Sequence, residues 1–209
     1  MSMLFNLINI EFKVKSEVIL KKKSLKIHSG KHLLIYGPSG SGKTTLVNIM
    51  TGLIKPSKGQ IYYKNNDYEK LNIDQIDNLR LLNFGLIFQK LHLIGHLNVQ
   101  QNISIAQSTP NFDRINELMK SLDIFDKRNQ KARDLSVGEA QRVAIARGVV
   151  NNPSIIFADE PTSALDDVNA QRVINLIFSQ ANQTKATLIV STHDQRIKGL
   201  FFCFLQKNY

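Results

Sequence analysis

The chain has 209 residues, of which 43% are hydrophobic and 21% charged, a composition that can bury a core and argues against intrinsic disorder. Its net charge of +10 is compatible with an anionic partner, and equally with a basic surface that only contacts solvent. The single cysteine, Cys203, excludes an intrachain disulfide framework. No signal-peptide pattern and no apolar run of ~20 residues is present, so we expect a cytoplasmic protein.

The first quarter of the chain predicts short strands followed by a loop and a helix. Strand-like runs at residues 4–12 and 25–27 precede a short apolar strand at Leu33–Tyr36. A glycine-rich loop then leads into a predicted helix at residues 43–51. Gly52 can end that helix in the left-handed conformation.

The middle of the chain has a different pattern. Apolar residues recur at helical spacing between Ile115 and Leu122, so we expect residues 91–134 to be mainly helical. Two apolar runs at residues 155–158 and 187–190 predict buried strands, with a helix at about 168–180 between them. Strands that alternate with helices indicate an α/β fold with a parallel sheet.

A complete phosphate-binding loop of the form G-x4-G-K-[ST] joins the Leu33–Tyr36 strand to the following helix. Its glycines allow backbone N–H groups to turn toward phosphate oxygens, and the helix N-terminus favours anions. Lys43 should reach the β- and γ-phosphates of a bound nucleotide, and the Thr44 hydroxyl should bind Mg²⁺. The residues expected to contact the nucleotide here are Gly37, Pro38, Ser39, Gly40, Ser41, Gly42, Lys43, Thr44 and Thr45.

Two acidic residues, Asp159 and Glu160, end the apolar run at 155–158. Open α/β sheets bind ligands at the carboxyl ends of their strands. Asp159 therefore suits a second Mg²⁺ contact, and Glu160 can act as the general base toward the attacking water.

The sequence Ser136-Val137-Gly138-Glu139 is a capping box of the form S-x-x-E. By itself it predicts only a well-capped helix, from residue 140 to about 150. The longer segment 135–142, Leu-Ser-Val-Gly-Glu-Ala-Gln-Arg, resembles the signature motif of the ABC ATPases. It precedes the Asp159-Glu160 strand, as in that family.

Other marks of the ABC family follow in order. Gln89, at the end of the segment 85–89, resembles the Q-loop glutamine. The segment 163–166, which ends in Asp166, resembles the D-loop, and His193 resembles the switch histidine. The resemblance covers the chain from about residue 4 onward. It is strongest to the lipoprotein-release and macrolide-export branch, on segments 88–93, 101–102 and 159–166.

The resemblance implies a fold and its division. We expect a P-loop NTPase with a RecA-like parallel-sheet core, an N-terminal antiparallel β part and an inserted α-helical subdomain. One ABC ATP-binding domain would span residues 1–209. Residues 1–90 and 145–209 would form the core with its β part, and residues 91–144 the helical subdomain that ends in the signature.

The resemblance also implies a function. The chain would bind and hydrolyse MgATP as a head-to-tail homodimer, with each ATP between the phosphate loop of one subunit and the signature of the other. A separate membrane permease would hold it at the inner face of the cell membrane, for export or lipoprotein extraction. The residue roles implied are Glu160, His193, Gln89 and Lys43 in catalysis; Gln89, Ser136, Gly138, Glu139 and Asp166 in further ATP contacts; and Thr44, Gln89 and Asp159 on Mg²⁺.

The chain departs from the family pattern at three places. Val137 replaces a usual glycine in the signature, and Gln101 stands where glutamate is common. Val14 occupies the place of the aromatic residue that stacks on adenine in many relatives, with Phe12 two residues earlier as an alternative. Val137 would either point to solvent or hold the opposed subunit away, and we favour the second.

Two other functions remain open at this point. One is a non-transport ABC ATPase acting on nucleic acid or ribosomes, which the basic charge supports. Such relatives usually fuse two ATPase halves or carry long insertions that this chain lacks, so nucleic acid is not the expected partner. The other is a division-type scaffold with weak hydrolysis, which Val137 keeps open.

For a transporter, residues 91–97 would form part of the groove that binds the permease, and packing of these residues into the core is the alternative.

Overall fold

A computed structural model describes residues 2–163, 165–201 and 204–206, and Cys203 lies outside these residues. The N-terminal part forms an antiparallel sheet in the order β2-β1-β4-β5. Its strands are β1 (Met3–Val14), β2 (Glu17–His28), β4 (Lys58–Tyr63) and β5 (Asn66–Asp67).

A second sheet has five strands in the order β6-β7-β8-β3-β9, and every neighbouring pair in it is parallel. Its members are β3 (Leu33–Tyr36), β6 (Phe84–Ile87), β7 (Ile155–Asp159), β8 (Thr187–Thr192) and β9 (Phe204–Gln206). Parallel neighbours require crossover connections, which here are mostly helical.

Within the described residues, six α-helices connect the strands: α1 (Lys43–Met50), α2 (Ile73–Asn83), α3 (Val99–Ser104), α4 (Phe112–Ser121), α5 (Val137–Val149) and α6 (Asp167–Thr184). Short 3₁₀ helices lie at Tyr68–Lys70, Phe125–Lys127, Ala132–Asp134 and Gln195–Leu200. No helix in the described part of the chain combines the length and apolar character needed to span a bilayer.

The strands β3, β7 and β8 are buried on both faces, which explains their continuous apolar runs. Alternate residues of one strand enter different cores: Leu34 packs with α3–α6, whereas Leu33 and Ile35 pack with α1 and the antiparallel sheet. In β7, Ile156 belongs to the first core and Phe157 to the second. Three layers therefore hold the parallel sheet in the middle of the molecule.

The predicted fold class is confirmed: a parallel-sheet core, an N-terminal antiparallel part and helices inserted between β6 and β7. The predicted strand Leu33–Tyr36 is β3, and Gly52 has the predicted left-handed conformation with a φ of 71°. The middle of the chain is less helical than expected. Residues 88–98 contain no helix, and α3 begins only at Val99, where the Asn98 side chain caps it.

Candidate functional site

The carboxyl ends of β3, β7 and β8 lie side by side and carry the polar residues of the site. Register pairs Tyr36 with Thr192 across β3 and β8, and Asp159 with Ser191 across β7 and β8. The strands thus end at one level. The backbone N–H of Gly37 still donates to the carbonyl of Thr192 (3.2 Å), which joins the phosphate loop to β8.

The phosphate loop has the backbone that anion binding requires. Gly40 and Gly42 have φ values of 74° and 83°, in the left-handed region that favours glycine. A Cβ on Gly42 would lie 3.0 Å from the carbonyl oxygen of Ile19, so a side chain there would crowd β2. Gly42 also caps α1, and no side chain caps this helix end. The first N–H groups of α1 are therefore directed at the loop, as in anion sites at helix N-termini.

Lys43 is the buried cation of the loop, with only 7% of its side chain exposed. Its ammonium donates to the carbonyls of Gly37 (2.8 Å) and Pro38 (3.0 Å) and pairs with Glu160 Oε1 at 3.1 Å. The lysine therefore bridges the phosphate loop and the predicted general base. A buried charge needs such partners to offset its desolvation.

Thr44 and Asp159, the two residues on which the magnesium prediction depends, are in direct contact. The Thr44 hydroxyl donates to Asp159 Oδ2 at 2.8 Å, and the Ser191 hydroxyl donates to Asp159 Oδ1. A hydroxyl beside a carboxylate is a set of hard oxygen donors, which Mg²⁺ prefers. The residues present therefore fit this ion.

Both the backbone and the carboxylate of Glu160 are constrained. Its φ of 48° is unusual for a bulky side chain and costs about 1–3 kcal/mol, a feature that clusters at functional sites. Its carboxylate accepts from Thr192 Oγ1 at 2.8 Å and lies 3.0 Å from His193 Nδ1. Burial raises the pKa of Glu160, but hydrogen bonds from His193, Thr192 and Lys43 outweigh burial and hold the pKa below its ordinary value. The carboxylate is therefore in the ionised form that a general base needs.

Gln89 follows β6 and is exposed. Its amide donates to Ser163 Oγ at 3.0 Å, and Ser163 Oγ donates to the carbonyl of Glu160 at 3.1 Å. Gln89 is thus linked to the β7–α6 segment and makes no direct hydrogen bond to Thr44 or Asp159 in the described part of the chain. Its predicted role as a magnesium ligand would require it to leave Ser163.

The signature residues lie on a different element from the phosphate loop. Ser136 and Glu139 form the predicted capping box of α5: Glu139 Oε2 accepts from Ser136 N (2.8 Å), and Ser136 Oγ accepts from Glu139 N (3.3 Å). Hydrogen bonds from Ser136 hold the pKa of the Glu139 carboxyl below its ordinary value. A Cβ on Gly138 would meet only the end of Arg142, and Val137 is 70% exposed. The signature therefore presents an open surface.

Asp166 is the N-cap of α6. Its Oδ1 accepts from the backbone N–H of Asn169 at 2.9 Å, and this bond lowers the pKa of the Asp166 carboxyl. The contact gives Asp166 a helix-capping role in the isolated subunit. A contact to ATP stays a prediction.

Sequence reasoning missed several residues that shape the site. The hydroxyls of Ser191 and Thr192 fix the two carboxylates, and the buried Gln141 of α5 donates to the carbonyl of Pro161 at 2.8 Å. Asp194 and Arg196 form a further network beside His193. Ser191 and Thr192 were within the segment that resembles the switch motif, but only the strand register reveals their partners.

The candidate adenine contacts lie on β1. Phe12 is half-buried and packs against the core between the two sheets, whereas Val14 is 50% exposed. Part of the Phe12 ring is thus used in packing. Stacking of Phe12 on adenine stays a prediction.

Known proteins match this chain over most of its length. The family model described as "ABC transporter" matches residues 20–163. The lipoprotein-releasing system ATP-binding protein LolD of Buchnera aphidicola is 38% identical over 91% of this chain and 86% of its own. A macrolide export ATP-binding/permease protein MacB of Shewanella is 36% identical over 86% of this chain, but that match covers only 28% of MacB.

Solved structures agree with this result. The dimeric post-hydrolysis state of the ATP-binding cassette MJ0796, bound to ADP and Pi, has a TM-score of 0.86 and 32% identity. The match covers 97% of this chain and 94% of that one. These similarities confirm the predicted P-loop fold and the predicted resemblance to the lipoprotein-release and macrolide-export branch. The chain therefore belongs to the ABC transporter family, as one of its ATP-binding, ATP-hydrolysing proteins.

Proposed function

We propose that this chain is the ATP-hydrolysing motor of a transporter whose membrane-spanning part is a separate permease. The observation that carries the proposal is the buried Lys43–Glu160 pair, with the half-exposed His193 against Glu160, beside the Thr44–Asp159 pair. We assign Lys43 as the phosphate-binding cation, Glu160 as the ionised base, and Thr44 and Asp159 as the oxygen donors for Mg²⁺, all at one edge of the sheet. The lipoprotein-release and macrolide-export relatives favour export or substrate extraction as the work performed.

The working unit we infer is a head-to-tail homodimer. Ser136, Gly138 and Glu139 form an exposed, capped helix N-terminus on α5, while the same chain already has a phosphate loop before α1. A second anion-binding helix end is best used on the ATP of a partner subunit. The dimeric ABC cassette with ADP and Pi supports this arrangement.

Hydrolysis follows from the residues around Glu160. ATP enters with its phosphates against the backbone N–H groups of residues 37–45, and Lys43 exchanges its Glu160 contact for the β- and γ-phosphates. Glu160, freed from the lysine, accepts a proton from the attacking water. His193 stays within hydrogen-bond reach of Glu160 and orients that carboxylate. Gln89 moves from Ser163 toward the γ-phosphate and positions the water.

Mg²⁺ would be held by the Thr44 hydroxyl and Asp159, with Gln89 as a further ligand, and would neutralise charge on the phosphates. The ordered hydrogen bond between Thr44 and Asp159, at 2.8 Å, supports this assignment because both groups already face one point. Asp166, at the start of α6, would contact the ATP of the partner subunit.

The permease would dock in a cleft of about 560 Å³ between α2, the segment after Gln89 and α5. Arg147 of α5 fixes one wall of this cleft through the carbonyls of Leu91 (2.5 Å) and His92 (2.7 Å). Leu93 packs against the core instead, so it is a poor probe of docking. Leu81 of α2 lines the cleft and is the better residue to change.

Docking would place the chain at the inner face of the cell membrane, as a peripheral cytoplasmic subunit. We further propose that residues 91–144 act as the helical subdomain, and residues 1–90 and 145–209 as the core. The helix α5 runs across this boundary, which would connect the signature rigidly to the core.

A reconstitution with candidate permeases of the same genome tests the proposal. The permease should stimulate phosphate release from MgATP, and Leu81→Asp should abolish the stimulation. Leu82→Asp is the matched control, because Leu82 is the next residue of α2, is 61% exposed and does not line the cleft. Absence of phosphate release would overturn the ATPase assignment. Stimulation by RNA or DNA in a salt-sensitive manner, and by no permease, would favour the nucleic-acid alternative.

A further inference from the structure

Arg196 joins the loop that carries His193 to the segment between β7 and α6. Its guanidinium contacts three partners in that segment: Asp167 Oδ1 (2.6 Å), the carbonyl of Leu165 (3.2 Å) and the carbonyl of Thr162 (3.3 Å). The same guanidinium binds both carboxylate oxygens of Asp194, at 2.8 and 2.7 Å. All of its nitrogens are therefore engaged.

Asp194 is the buried anchor of this network. It is 8% exposed and accepts from the Thr162 hydroxyl at 2.7 Å and from the backbone N–H of Arg196 at 3.0 Å. Hydrogen bonds from Arg196 first, and then from Thr162, outweigh burial and lower the pKa of Asp194 to about 2. The carboxylate is thus ionised and fully paired, which a buried charge requires.

The two ends of the network differ in strength. Asp167 is 89% exposed in its side chain, so its ion pair with Arg196 contributes little. The bidentate pair with Asp194 and the contact with the Thr162 carbonyl are partly buried and geometrically specific, whereas the contact with the Leu165 carbonyl is exposed. A lysine could keep a charge here but could not span a carboxylate and two carbonyls. The arrangement therefore depends on the shape of the guanidinium.

The network connects two parts of the site that act on different ATP molecules in the proposed dimer. On one side, Asp194 follows His193, whose ring lies 3.0 Å from Glu160. On the other side, Thr162 and Asp167 flank Asp166, the residue of the β7–α6 segment assigned above to the partner's ATP. A displacement of the His193 loop must then displace the β7–α6 segment, or break buried hydrogen bonds.

We propose that Arg196 is a positioning residue that makes the His193 loop and the β7–α6 segment move as one unit. Through this link, the state of one ATP site is transmitted to the site of the partner subunit. The inference rests on the head-to-tail dimer proposed above. Arg196 touches no reacting atom in this assignment, so its effect is on cooperativity between the sites.

The test compares Arg196→Lys and Arg196→Met with the control Arg172→Met. Arg172 is an exposed residue of α6 that makes no hydrogen bond or ion pair within the part of the chain that the structure describes. The double variant Arg196→Met/Asp194→Asn removes both charges, so that an unpaired buried carboxylate does not confuse the result. Thermal unfolding identifies the variants that fold. Phosphate release is then measured across a range of MgATP concentrations, and ATP affinity is measured separately under conditions that favour the monomer.

We expect the Hill coefficient of the Arg196 variants to fall to about 1, with kcat reduced about 10- to 100-fold and monomer affinity for ATP unchanged. Arg172→Met should match the unaltered protein. An unchanged Hill coefficient in folded Arg196 variants would overturn the inference, even if kcat fell. A Hill coefficient of about 1 in the unaltered protein would also overturn it. An unaltered protein without any ATPase activity would instead overturn the proposed function itself.

Discussion

The ammonium of Lys43 lies 3.1 Å from Glu160 Oε1, and each side chain is less than a tenth exposed. The cation of the phosphate loop and the base that we assign to water activation are therefore partners in this conformation. Binding of phosphate would compete for the lysine and release the base. The pair thus couples occupation of the loop to the availability of Glu160.

Glu160→Gln should slow ATP hydrolysis about 10²–10⁴-fold, because the amide cannot accept the proton of the attacking water. It should bind ATP at least as tightly as the unaltered chain, since a neutral amide competes less for Lys43. Phosphate release gives the rate, and size-exclusion chromatography in ATP should reveal a trapped dimer. Glu117→Gln, at an exposed position of α4, is the control. Near-normal turnover in Glu160→Gln would remove Glu160 from the role of base.

Lys43→Met should weaken ATP binding about 10- to 100-fold, which corresponds to the loss of charged hydrogen bonds worth about 1.5–3 kcal/mol. Methionine keeps the apolar stem of the side chain, so packing against the loop changes little. Isothermal titration with ATP measures the affinity. An unchanged affinity would contradict the assignment of Lys43 to the phosphates.

His32 should make stability depend on pH. Its Nδ1 accepts from the backbone N–H of Leu188 at 3.0 Å, and its ring packs edge-on against Phe178. Burial lowers the pKa of His32 below its ordinary value, so the folded state disfavours the protonated ring that the unfolded chain accepts. The stabilisation is therefore complete above the unfolded pKa of about 6.5 and declines as pH falls toward the lower folded pKa.

Urea unfolding of the unaltered chain and His32→Gln at pH 7.5 and pH 5.5 measures this effect. Glutamine can still accept from Leu188 but does not titrate. The unaltered chain should lose more stability between the two pH values than the variant does. An equal loss of the free energy of unfolding in the two proteins would exclude His32 as the titrating group.

The strands and helix that surround the phosphate loop could be predicted because their patterns are strong. Both faces of β3, β7 and β8 are buried, so these strands appear as uninterrupted apolar runs. The helix α2 was missed because it buries no residue completely. The strand β6 contains Gly85, a weak strand former, where a Cβ would lie 2.2 Å from the carbonyl oxygen of Gly148. The close approach of α5 requires glycine at position 85, and this approach cannot be seen in the sequence.

The same limit applies to the site. Lys43, Asp159 and Glu160 could be expected to lie together, because the phosphate loop and the acidic pair each lie at the carboxyl end of a strand of one parallel sheet. The role of Arg196 could not be predicted from the sequence. Its partners Thr162 and Asp167 come from another part of the chain, and the order of the strands brings them into contact with it. Glu160 was predicted as a base, but its pairing with Lys43 depends on the register of β3, β7 and β8.

Val137 bears on the interface between subunits. It is the first residue of α5 after the N-cap Ser136, and 70% of it is exposed on the surface that the proposed partner would cover. The capping hydrogen bonds between Ser136 and Glu139 fix the backbone on both sides of Val137, so its side chain stays at the surface. In a head-to-tail dimer, a branched side chain at this position would stand against the opposed phosphate site.

Val137→Gly should therefore raise basal ATPase activity, because a displacement of about 1 Å at a positioning residue can cost about 10²-fold in rate. Val137→Ala should give an intermediate increase, since it removes the branch and retains good helix propensity. Steady-state phosphate release at saturating MgATP compares the three proteins, and ATP-dependent dimerisation in the Glu160→Gln background reports closure directly. A steric effect requires both quantities to rise in the order Val, Ala, Gly. Equal or lower activity in the glycine variant would show that the Val137 side chain points away from the opposed site.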